Sequence, residues 1–432
     1  MSESAETIDL PYGRGTVPVV PPPGCVPTVI RKRAMPVLGD PRAAVERALA
    51  APVGCSPLRE LACGKRSVCI LICDITRPVP NGLFLPALVR ALLDAGVSRA
   101  GIGIVVATGL HRPNDNGELA EVVGDPWVLD TVRVENHFAT ADADHVLVGT
   151  TPARGTVVRL DRRLVEAELK IATGLVEPHF MAGWSGGRKV IAPGVAHAET
   201  ITTFHNAAFM AHPNAANCVL DGNPLHEEQL AIVDMLGGAL ALNTVIDEAR
   251  RLAFVNFGEI VESHLAAVAF ARRYAHVPVA RRFHTVVTSA AGHPLDKTYY
   301  QTVKGMVGPV DILEPGGDLI VASACSDGMG SKHFVDAQRR LVALGLDGFA
   351  ASIDGKRHAD IDEWQTQMQL KPMRAGRVRL YTGGLDEADI ALTGVERVGD
   401  LAAAVAESMA RHRDPHVAFV PEGPYVVPDH AS

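Results

Sequence analysis

The sequence predicts an α/β protein of two domains, each with a mostly parallel sheet covered by helices and with the active site in the interdomain cleft. From about residue 67, short apolar β-branched runs alternate with helical patterns, which is typical of βαβ units. The 432 residues exceed the usual size of one hydrophobic core, so two domains are expected. In such sheets, ligands bind beyond the carboxyl ends of the strands.

The first domain is expected to span residues 1–275. It opens with a strand in SVCILICD, a helix in LFLPALVRALLDAG and a strand in GIGIVVATG. The Pro-rich tract VPVVPPPG near residues 17–24 is interpreted as an extended lead-in. A Gly-rich stretch follows the last predicted strand. The remaining predictions are strands at 131–136, 145–149, 155–160 and 168–176 and helices near 198–210 and 259–274.

The second domain is expected to span residues 276–432 and to repeat the alternation of strand and helix. The segment HVPVARR is interpreted as the connector between the two domains. The predicted order is strand 284–291, helix 298–307, strand 318–325, helix HFVDAQRRLVALG, strand RVRLYTG, helix LAAAVAESMARH and strand HVAFVPEG.

Composition favours a soluble cytoplasmic protein. The net charge of −8 comes from interspersed acidic and basic residues, which predicts no nucleic-acid or membrane partner. No run of about 18 apolar residues exists to span a bilayer, and the start MSESAETIDLPYG lacks the features of a secretory signal. The seven cysteines are scattered without a CxxC pair, so reduced structural thiols are expected.

Chemically capable side chains follow three predicted strands. They lie in Asp74-Ile75-Thr76-Arg77-Pro78, in Thr108-Gly109-Leu110-His111-Arg112-Pro113 and in Glu177-Pro178-His179. Any one of them is equally well explained as a helix cap. Three together favour a shared cleft.

A Gly-rich loop at 182–194 carries Lys189, which can serve as a cation or as an amine nucleophile. The spacing excludes a P-loop, because Arg188 separates the glycines from Lys189 and Val190 follows it. A Rossmann fingerprint is also missing, since Gly101 and Gly103 precede a strand. If a nucleotide binds, it uses neither common mode.

Two helical segments give weaker signals. His205 lies on a predicted helix, where a lone histidine is more often structural than a ligand. Tyr300, Gln301 and Lys304 share a face of another helix, because residues three and four apart are neighbours. That face can hold a carboxylate or can simply be solvated.

In this order, the segments resemble the nickel-pincer-nucleotide-dependent lactate racemase family, whose members interconvert epimers of 2-hydroxy acids. The resemblance covers most of the chain with compatible spacings. It runs through DITRP (74–78), TGLHRP (108–113), EPHF (177–180), SGGRKVIAPG (185–194), TFHN (203–206), YYQTVKG (299–305) and WQTQ (364–367).

The resemblance implies a cofactor, a pyridinium-3-thioamide-5-thiocarboxylic acid mononucleotide, bonded covalently to Lys189. Its ring carbon and two sulfur atoms would bind nickel, with His205 as the protein ligand. Such soft donors with one imidazole suit square-planar nickel. Asp74, Tyr300 and Trp364 match positions near the cofactor. Cofactor-making enzymes are the expected partners.

The resemblance also implies the reaction, an isomerisation at C2 by reversible hydride transfer with a 2-keto acid intermediate. His111 and His179 match the catalytic acid/base pair, and Arg77, Gln301 and Lys304 match the residues that hold the substrate carboxylate. Lactate is the default substrate, and malate, 2-hydroxyglutarate, aliphatic, aromatic and aldonic acids stay open. The alternatives are a zinc-type hydrolase that uses the three histidines as ligands and a non-catalytic cofactor-binding protein.

Overall fold

The computed structural model describes residues 6–430, apart from the side chain of Asn116, and places most of its strands in two six-stranded sheets. The strands are β1 (Ile8–Tyr12), β2 (Gly15–Val19), β3 (Val26–Val29), β4 (Val68–Cys73), β5 (Ile102–Ala107), β6 (Arg133–Asn136), β7 (His145–Thr150), β8 (Val157–Asp161), β9 (Leu169–Leu175), β10 (Pro178–His179), β11 (Gly183–Trp184), β12 (Leu240–Ile246), β13 (Leu252–Glu259), β14 (His276–Pro278), β15 (Phe283–Ser289), β16 (Leu313–Ala322), β17 (Gly376–Tyr381), β18 (Glu396–Arg397), β19 (His416–Val420) and β20 (Val427–Asp429).

Helices cover the sheets and carry several of the segments singled out in the sequence. They are α1 (Pro41–Ala50), α2 (Leu58–Ala62), α3 (Asn81–Asp94), α4 (Asn116–Val123), α5 (Pro126–Thr131), α6 (Arg162–Val165), α7 (Arg188–Ile191), α8 (Ala198–Phe204), α9 (Ala207–Ala211), α10 (Pro224–Met235), α11 (Ile260–Ala275), α12 (Tyr299–Val307), α13 (Lys332–Ile353), α14 (Glu363–Ala375), α15 (Glu387–Thr393) and α16 (Leu401–His412).

The first sheet has the strand order β13-β12-β9-β4-β5-β6. Its strands pair in parallel, except that β12 and β13 are antiparallel. From β4 the chain moves to β5 and β6 on one side, whereas β9 pairs on the other side of β4. The order therefore reverses between β4 and β9, and a crevice is expected at their carboxyl ends.

The second sheet has the order β18-β17-β16-β15-β19-β3 and is parallel throughout. From β15 the chain moves to β16, β17 and β18, while β19 pairs on the other side of β15. This second reversal lies at the carboxyl end of β15, just before α12. The predicted α/β class with largely parallel sheets is confirmed.

Burial on both faces explains why the central strands read as unbroken apolar runs. Ile70, Leu71 and Ile72 of β4 are all completely buried. A strand covered by helices on both faces has no solvent side and so shows no alternation of apolar and polar residues. The rigid β4 fixes the position of Asp74, which directly follows it.

Several elements were not predicted from the sequence, among them α1, α4, α10, α14, α15, β12 and β13. In the last two strands, polar residues are buried by pairing with each other: the side-chain amide of Asn243 donates to Asn256 (3.1 Å) and to the hydroxyl of Ser263 (3.1 Å). These internal polar contacts hide the strand pattern. α14 carries the WQTQ segment.

Three further details differ from the prediction. The Pro-rich lead-in contributes to β2, and the adjoining β3 pairs with β19 at the edge of the second sheet, where Pro27 is tolerated. His205 is the C-cap of α8, one residue beyond its last turn. α13 continues beyond Gly345, where φ is +70° and the helix is kinked.

Candidate active site

Nine of the ten predicted site residues line one cavity of about 140 Å³ between the two sheets. The loops after β4, β5 and β9 contribute from the first sheet, together with α7 and the end of α8. α12 and α14 contribute from the second sheet. The nine are Asp74, Arg77, His111, His179, Lys189, His205, Tyr300, Lys304 and Trp364, while Gln301 lines a neighbouring cleft.

The loops after β4 and β5 bring His111 against Asp74. Nδ1 of His111 lies 2.6 Å from Oδ2 of Asp74, and Oδ1 of Asp74 accepts from the amide (3.1 Å) and hydroxyl (2.6 Å) of Thr76. Burial acts to raise the pKa of the Asp74 carboxyl, but His111 and Thr76 outweigh it and lower that pKa to about 2. The ionised carboxylate keeps a proton on Nδ1 of His111, so Nε2 presents its lone pair.

His179 is held in a different state. Its Nδ1 accepts from the amides of Met181 (3.3 Å) and Ala182 (3.2 Å). Burial, followed by the cations of Lys189 and Arg77, holds the pKa of His179 well below its ordinary value. The neutral ring therefore carries its proton on Nε2.

Lys189 lies on the short helix α7, behind two glycines with positive φ. Gly186 and Gly187 have φ values of +76° and +50°, and a Cβ on Gly186 would lie 2.8 Å from Val176. The Lys189 ammonium has no hydrogen bond or ion pair within residues 6–430. Burial, and then Arg77, lowers the pKa of Lys189 to about 7. A neutral amine is accordingly available near pH 7 as a nucleophile.

Arg188 secures the loop that precedes Lys189. Its guanidinium donates to Nδ1 of His226 (2.8 Å) and to the carbonyls of Ala182 (3.0 Å) and Trp184 (3.1 Å). The side chain is fully buried, and burial lowers the pKa of Arg188 to about 9. Arg188, whose position in the sequence excludes a P-loop, therefore has a structural role that was not predicted.

His205 faces the cavity with one ring nitrogen engaged. Its Nδ1 donates to the carbonyl of Ile201 (2.9 Å), and its ring lies 4.9 Å from that of Trp364. Burial lowers the pKa of His205 to about 3, with Lys189 acting in the same direction. Within the described chain Nε2 has no hydrogen-bond partner, so its lone pair is free. Trp364 in turn donates to the hydroxyl of Tyr300 (3.3 Å).

Two further cations lie in the cavity, and one already has a partner. Arg77 forms an ion pair with Glu177 (3.5 Å), whereas Lys304 has no ion pair within residues 6–430. Burial, and then Arg77 and Lys189, holds the pKa of Lys304 well below its ordinary value. Burial raises the pKa of Glu177 despite the nearby cations. Glu177 lies in the EPHF segment, and no role was predicted for it from the sequence.

Gln301 lines a cleft of about 310 Å³ that adjoins the cavity at His111, Asp74 and Tyr300. We call this the outer cleft. Asp362 lines both spaces and was missed by the sequence analysis. It accepts from Ser331 (2.5 Å) and has a positive φ of +64°, which is uncommon outside glycine. No feature of the sequence pattern marks this residue, apart from its place two residues before Trp364.

A third space, here called the rear cleft, lies behind the Arg77–Glu177 pair. It measures about 350 Å³ and is lined by Glu177, Lys32, Tyr425 and Glu422, among others. Lys32 is ion-paired with Glu422 (3.2 Å). None of the ten predicted residues lines this cleft.

The histidines do not form a metal-ligand cluster of their own. Within residues 6–430, no group of three or more His, Cys, Asp and Glu side chains is arranged to hold a metal ion. This counts against a zinc site built from His111, His179 and His205. Over the same residues, none of the helices combines the length and hydrophobicity needed to cross a bilayer.

The sequence matches known protein families over most of its length. Residues 12–217 match the family model "Lactate racemase N-terminal domain", and residues 280–427 match "Lactate racemase C-terminal domain". A lactate racemase from Thermoanaerobacterium thermosaccharolyticum is 30% identical over 435 residues, covering 97% of this chain and 98% of that protein. One from Lactiplantibacillus plantarum is 33% identical over 290 residues, covering 67% and 68%.

Solved structures show the same similarity in three dimensions. The lactate racemase apoprotein from T. thermosaccharolyticum superposes with a TM-score of 0.89 at 29% identity, covering 98% of this chain and 100% of that one. A crystal structure of a protein from Thermotoga maritima has a TM-score of 0.70 at 19% identity, covering 91% and 99%. The second similarity concerns the fold alone.

Proposed function

The chain belongs to the lactate racemase family, and from that premise we propose that it inverts C2 of a small 2-hydroxy acid, with lactate as the default substrate. We further propose that it uses a nickel-pincer nucleotide joined to Lys189. The observation that carries the proposal is the presence, in one cavity, of a buried lysine amine and a neutral histidine with a free Nε2.

The chemistry of these two residues fits the nucleotide. Covalent attachment needs an unprotonated amine near neutral pH, and Lys189 meets that need. A nickel ligand needs a neutral imidazole whose other nitrogen is held, as the Ile201 carbonyl holds Nδ1 of His205. Asp74, Tyr300 and Trp364 line the same cavity and would contact the group. When bound, the nucleotide supplies the hydride acceptor.

Arg77 and Lys304 would bind the substrate carboxylate. Both are basic side chains that line the cavity, and guanidinium suits bidentate carboxylate binding. The ion pair with Glu177 restricts the orientation of the Arg77 guanidinium. Fixing the carboxylate fixes C2 relative to both histidines, which is the positional part of catalysis.

The two histidines would handle the hydroxyl proton of the two enantiomers. His111 presents a lone pair on Nε2, so it accepts the proton from a hydroxyl on its side. His179 holds a proton at Nε2 because its Nδ1 accepts two amides. The two rings thus begin in the different states that one direction of inversion requires. Because the hydroxyl points differently in each enantiomer, two rings on separate loops are needed.

The proposed activity is tested with cofactor-loaded enzyme, made by co-expression with the cofactor-making enzymes. Single enantiomers of lactate carrying deuterium at C2 are incubated in ordinary water and separated by chiral chromatography. Inversion with the deuterium retained is expected, since a hydride route never exposes C2 to solvent. Inversion with loss of deuterium would indicate proton abstraction instead and contradict the proposed chemistry.

A non-catalytic cofactor-binding role is the second candidate. It predicts loaded protein that neither forms a keto acid nor inverts any hydroxy acid. The enzyme is favoured because the chain has suitable residues at the proposed catalytic and carboxylate-binding positions. These are His111, His179, Arg77 and Lys304, and all of them line the cavity.

A further inference from the structure

We propose that the outer cleft binds the rest of the substrate beyond C2, and that this part is an uncharged chain carrying hydroxyl groups. The inference rests on the proposed function, because it assigns a substrate class to the same site. It starts from Gln301, which the family resemblance places on the carboxylate. Gln301 lines the outer cleft and not the cavity that Arg77 lines.

The position of the substrate carboxylate determines which cleft the rest of the substrate enters. Arg77 and Lys304 lie in the inner cavity, and the Arg77–Glu177 ion pair separates that end from the rear cleft. A substrate held there by its carboxylate, with its hydroxyl near His111, has its remaining carbons on the far side of C2. His111 lines both the cavity and the outer cleft. The remaining carbons of the substrate therefore extend into the outer cleft.

The size of the outer cleft exceeds what lactate uses. Lactate has only a methyl group beyond C2, whereas this cleft measures about 310 Å³. A substrate with several more carbons would occupy it and exclude water from the neighbourhood of His111.

The cations that line the outer cleft are already paired, which argues against a second carboxylate. Arg112 donates to both oxygens of Glu118 (2.6 and 2.7 Å), and Lys297 lies 2.8 Å from Asp327. A dicarboxylate such as malate would bring an anion to a lining that also holds the carboxylates of Asp327 and Asp362. No lining lysine or arginine is left unpaired to receive it.

Two side chains that line the outer cleft have an amide oxygen without a hydrogen-bond partner in the described chain, and such an oxygen can accept from a hydroxyl group. Gln301 is 6% exposed, and its amide oxygen is buried without a hydrogen-bond partner. Asn114, which is 5% exposed, has an amide oxygen in the same state. Asp362 adds a carboxyl group, one oxygen of which already accepts from Ser331. A hydroxylated chain would satisfy such groups, whereas an alkyl chain would leave them unpaired.

The test compares lactate, malate and gluconate as substrates of the cofactor-loaded wild type and of Gln301→Met, which keeps side-chain volume but removes the amide. The wild type is expected to have a kcat/KM for gluconate at least about tenfold above that for lactate or malate. Gln301→Met should lower the value for gluconate by about tenfold more than it lowers the value for lactate. Gln301→Leu, also of similar volume, serves if the first variant melts early.

The outcomes separate this inference from the proposed function. Inversion of lactate or malate in preference to gluconate would overturn the inference and leave the proposed function standing. An equal loss on lactate and gluconate in Gln301→Met would also overturn it, because Gln301 would then hold the common carboxylate. Binding provides a readout independent of turnover: calorimetry should show tighter binding of gluconate than of lactate, and weaker gluconate binding would count against the inference. Failure to invert any acid would overturn the proposed function, and the inference with it.

Discussion

Nδ1 of His111 lies 2.6 Å from Oδ2 of Asp74, and the carboxylate is buried while the imidazole reaches the cavity. The contact joins the loops that follow two neighbouring strands, so the sheet itself sets its geometry. It leaves Nε2 of His111 as the free base of the site.

Replacing Asp74 by Asn should reduce kcat by about 10²- to 10⁴-fold, because an amide no longer fixes the tautomer and orientation of His111. KM for the hydroxy acid should change little, since Asp74 does not hold the carboxylate. Steady-state racemisation kinetics measure both. Asp347→Asn is the matched control, because its side chain is 97% exposed and it should leave kcat unchanged. A kcat of Asp74→Asn within threefold of wild type would contradict the assigned role.

Substrate binding should be accompanied by proton uptake at Lys304. In the free protein, burial and then the cations Arg77 and Lys189 hold the pKa of Lys304 well below its ordinary value, which favours the neutral amine. An anionic carboxylate raises that pKa again, and a proton is taken from solution. Calorimetry of substrate binding at pH 8 in two buffers of different ionisation enthalpy measures the uptake.

Lys304→Arg provides the control for that experiment. Guanidinium stays charged throughout this pH range, so the variant should bind substrate with less proton uptake. Identical uptake in wild type and Lys304→Arg would show that another group takes the proton.

Acid should destabilise the fold through histidines that are buried in the neutral form. Burial lowers the pKa of both His137 and His205 to about 3. Between the unfolded value near 6.5 and the folded value, the unfolded chain binds protons that the folded chain does not. Stability present above pH 6.5 is therefore lost as pH falls toward 3, by about 1.4 kcal/mol per pH unit for each histidine.

Melting temperatures at pH 7.5, 6.5 and 5.5 test this dependence. His137→Gln should give a shallower loss of melting temperature on acidification than wild type. The exposed His333 is the control position, and His333→Gln should keep the wild-type slope. An unchanged slope in His137→Gln would assign the acid sensitivity to other groups.

Local segments of the fold were predictable from the sequence where a single physical effect, such as the burial of an apolar run, determines the local structure. The buried run Ile70 to Ile72 predicts β4, and the side chains after the strands predict a cleft at their carboxyl ends. β12 and β13 were not predictable in this way, because Asn243 and Asn256 are buried by pairing with each other across the sheet. Such contacts depend on which strands become neighbours.

The residues of the candidate site also differ in whether they could be predicted from local sequence. Site residues that lie in recognisable sequence segments, such as Lys189 and His205, could be predicted. The structure places these two residues in one cavity. The ion pair of Arg77 with Glu177 was not predicted, because it depends on β4 and β9 becoming neighbours in the first sheet. The position of Gln301 was not predicted either, because it depends on how the two sheets face each other. The roles of these residues stay predictions.

Attachment of the nucleotide should depend on the protonation of Lys189. With a pKa of about 7, the amine is largely neutral above that pH, whereas an ordinary lysine is not. Below pH 7 the rate of attachment to the purified apoprotein should fall about tenfold per pH unit. The time course of the mass increase gives this rate, and a midpoint near 10 would contradict the pKa assigned to Lys189.

Intact mass spectrometry with peptide mapping, after co-expression with the cofactor-making enzymes, tests the central claim most directly. The wild type should carry the added mass of the nucleotide on the peptide that contains Lys189, together with nickel measured in the native protein. Lys189→Met should carry neither. His205→Gln should keep the nucleotide and lose most of the nickel, which separates the anchor from the ligand. Protein that binds a metal without any nucleotide, or that carries the nucleotide on another residue, would contradict the account.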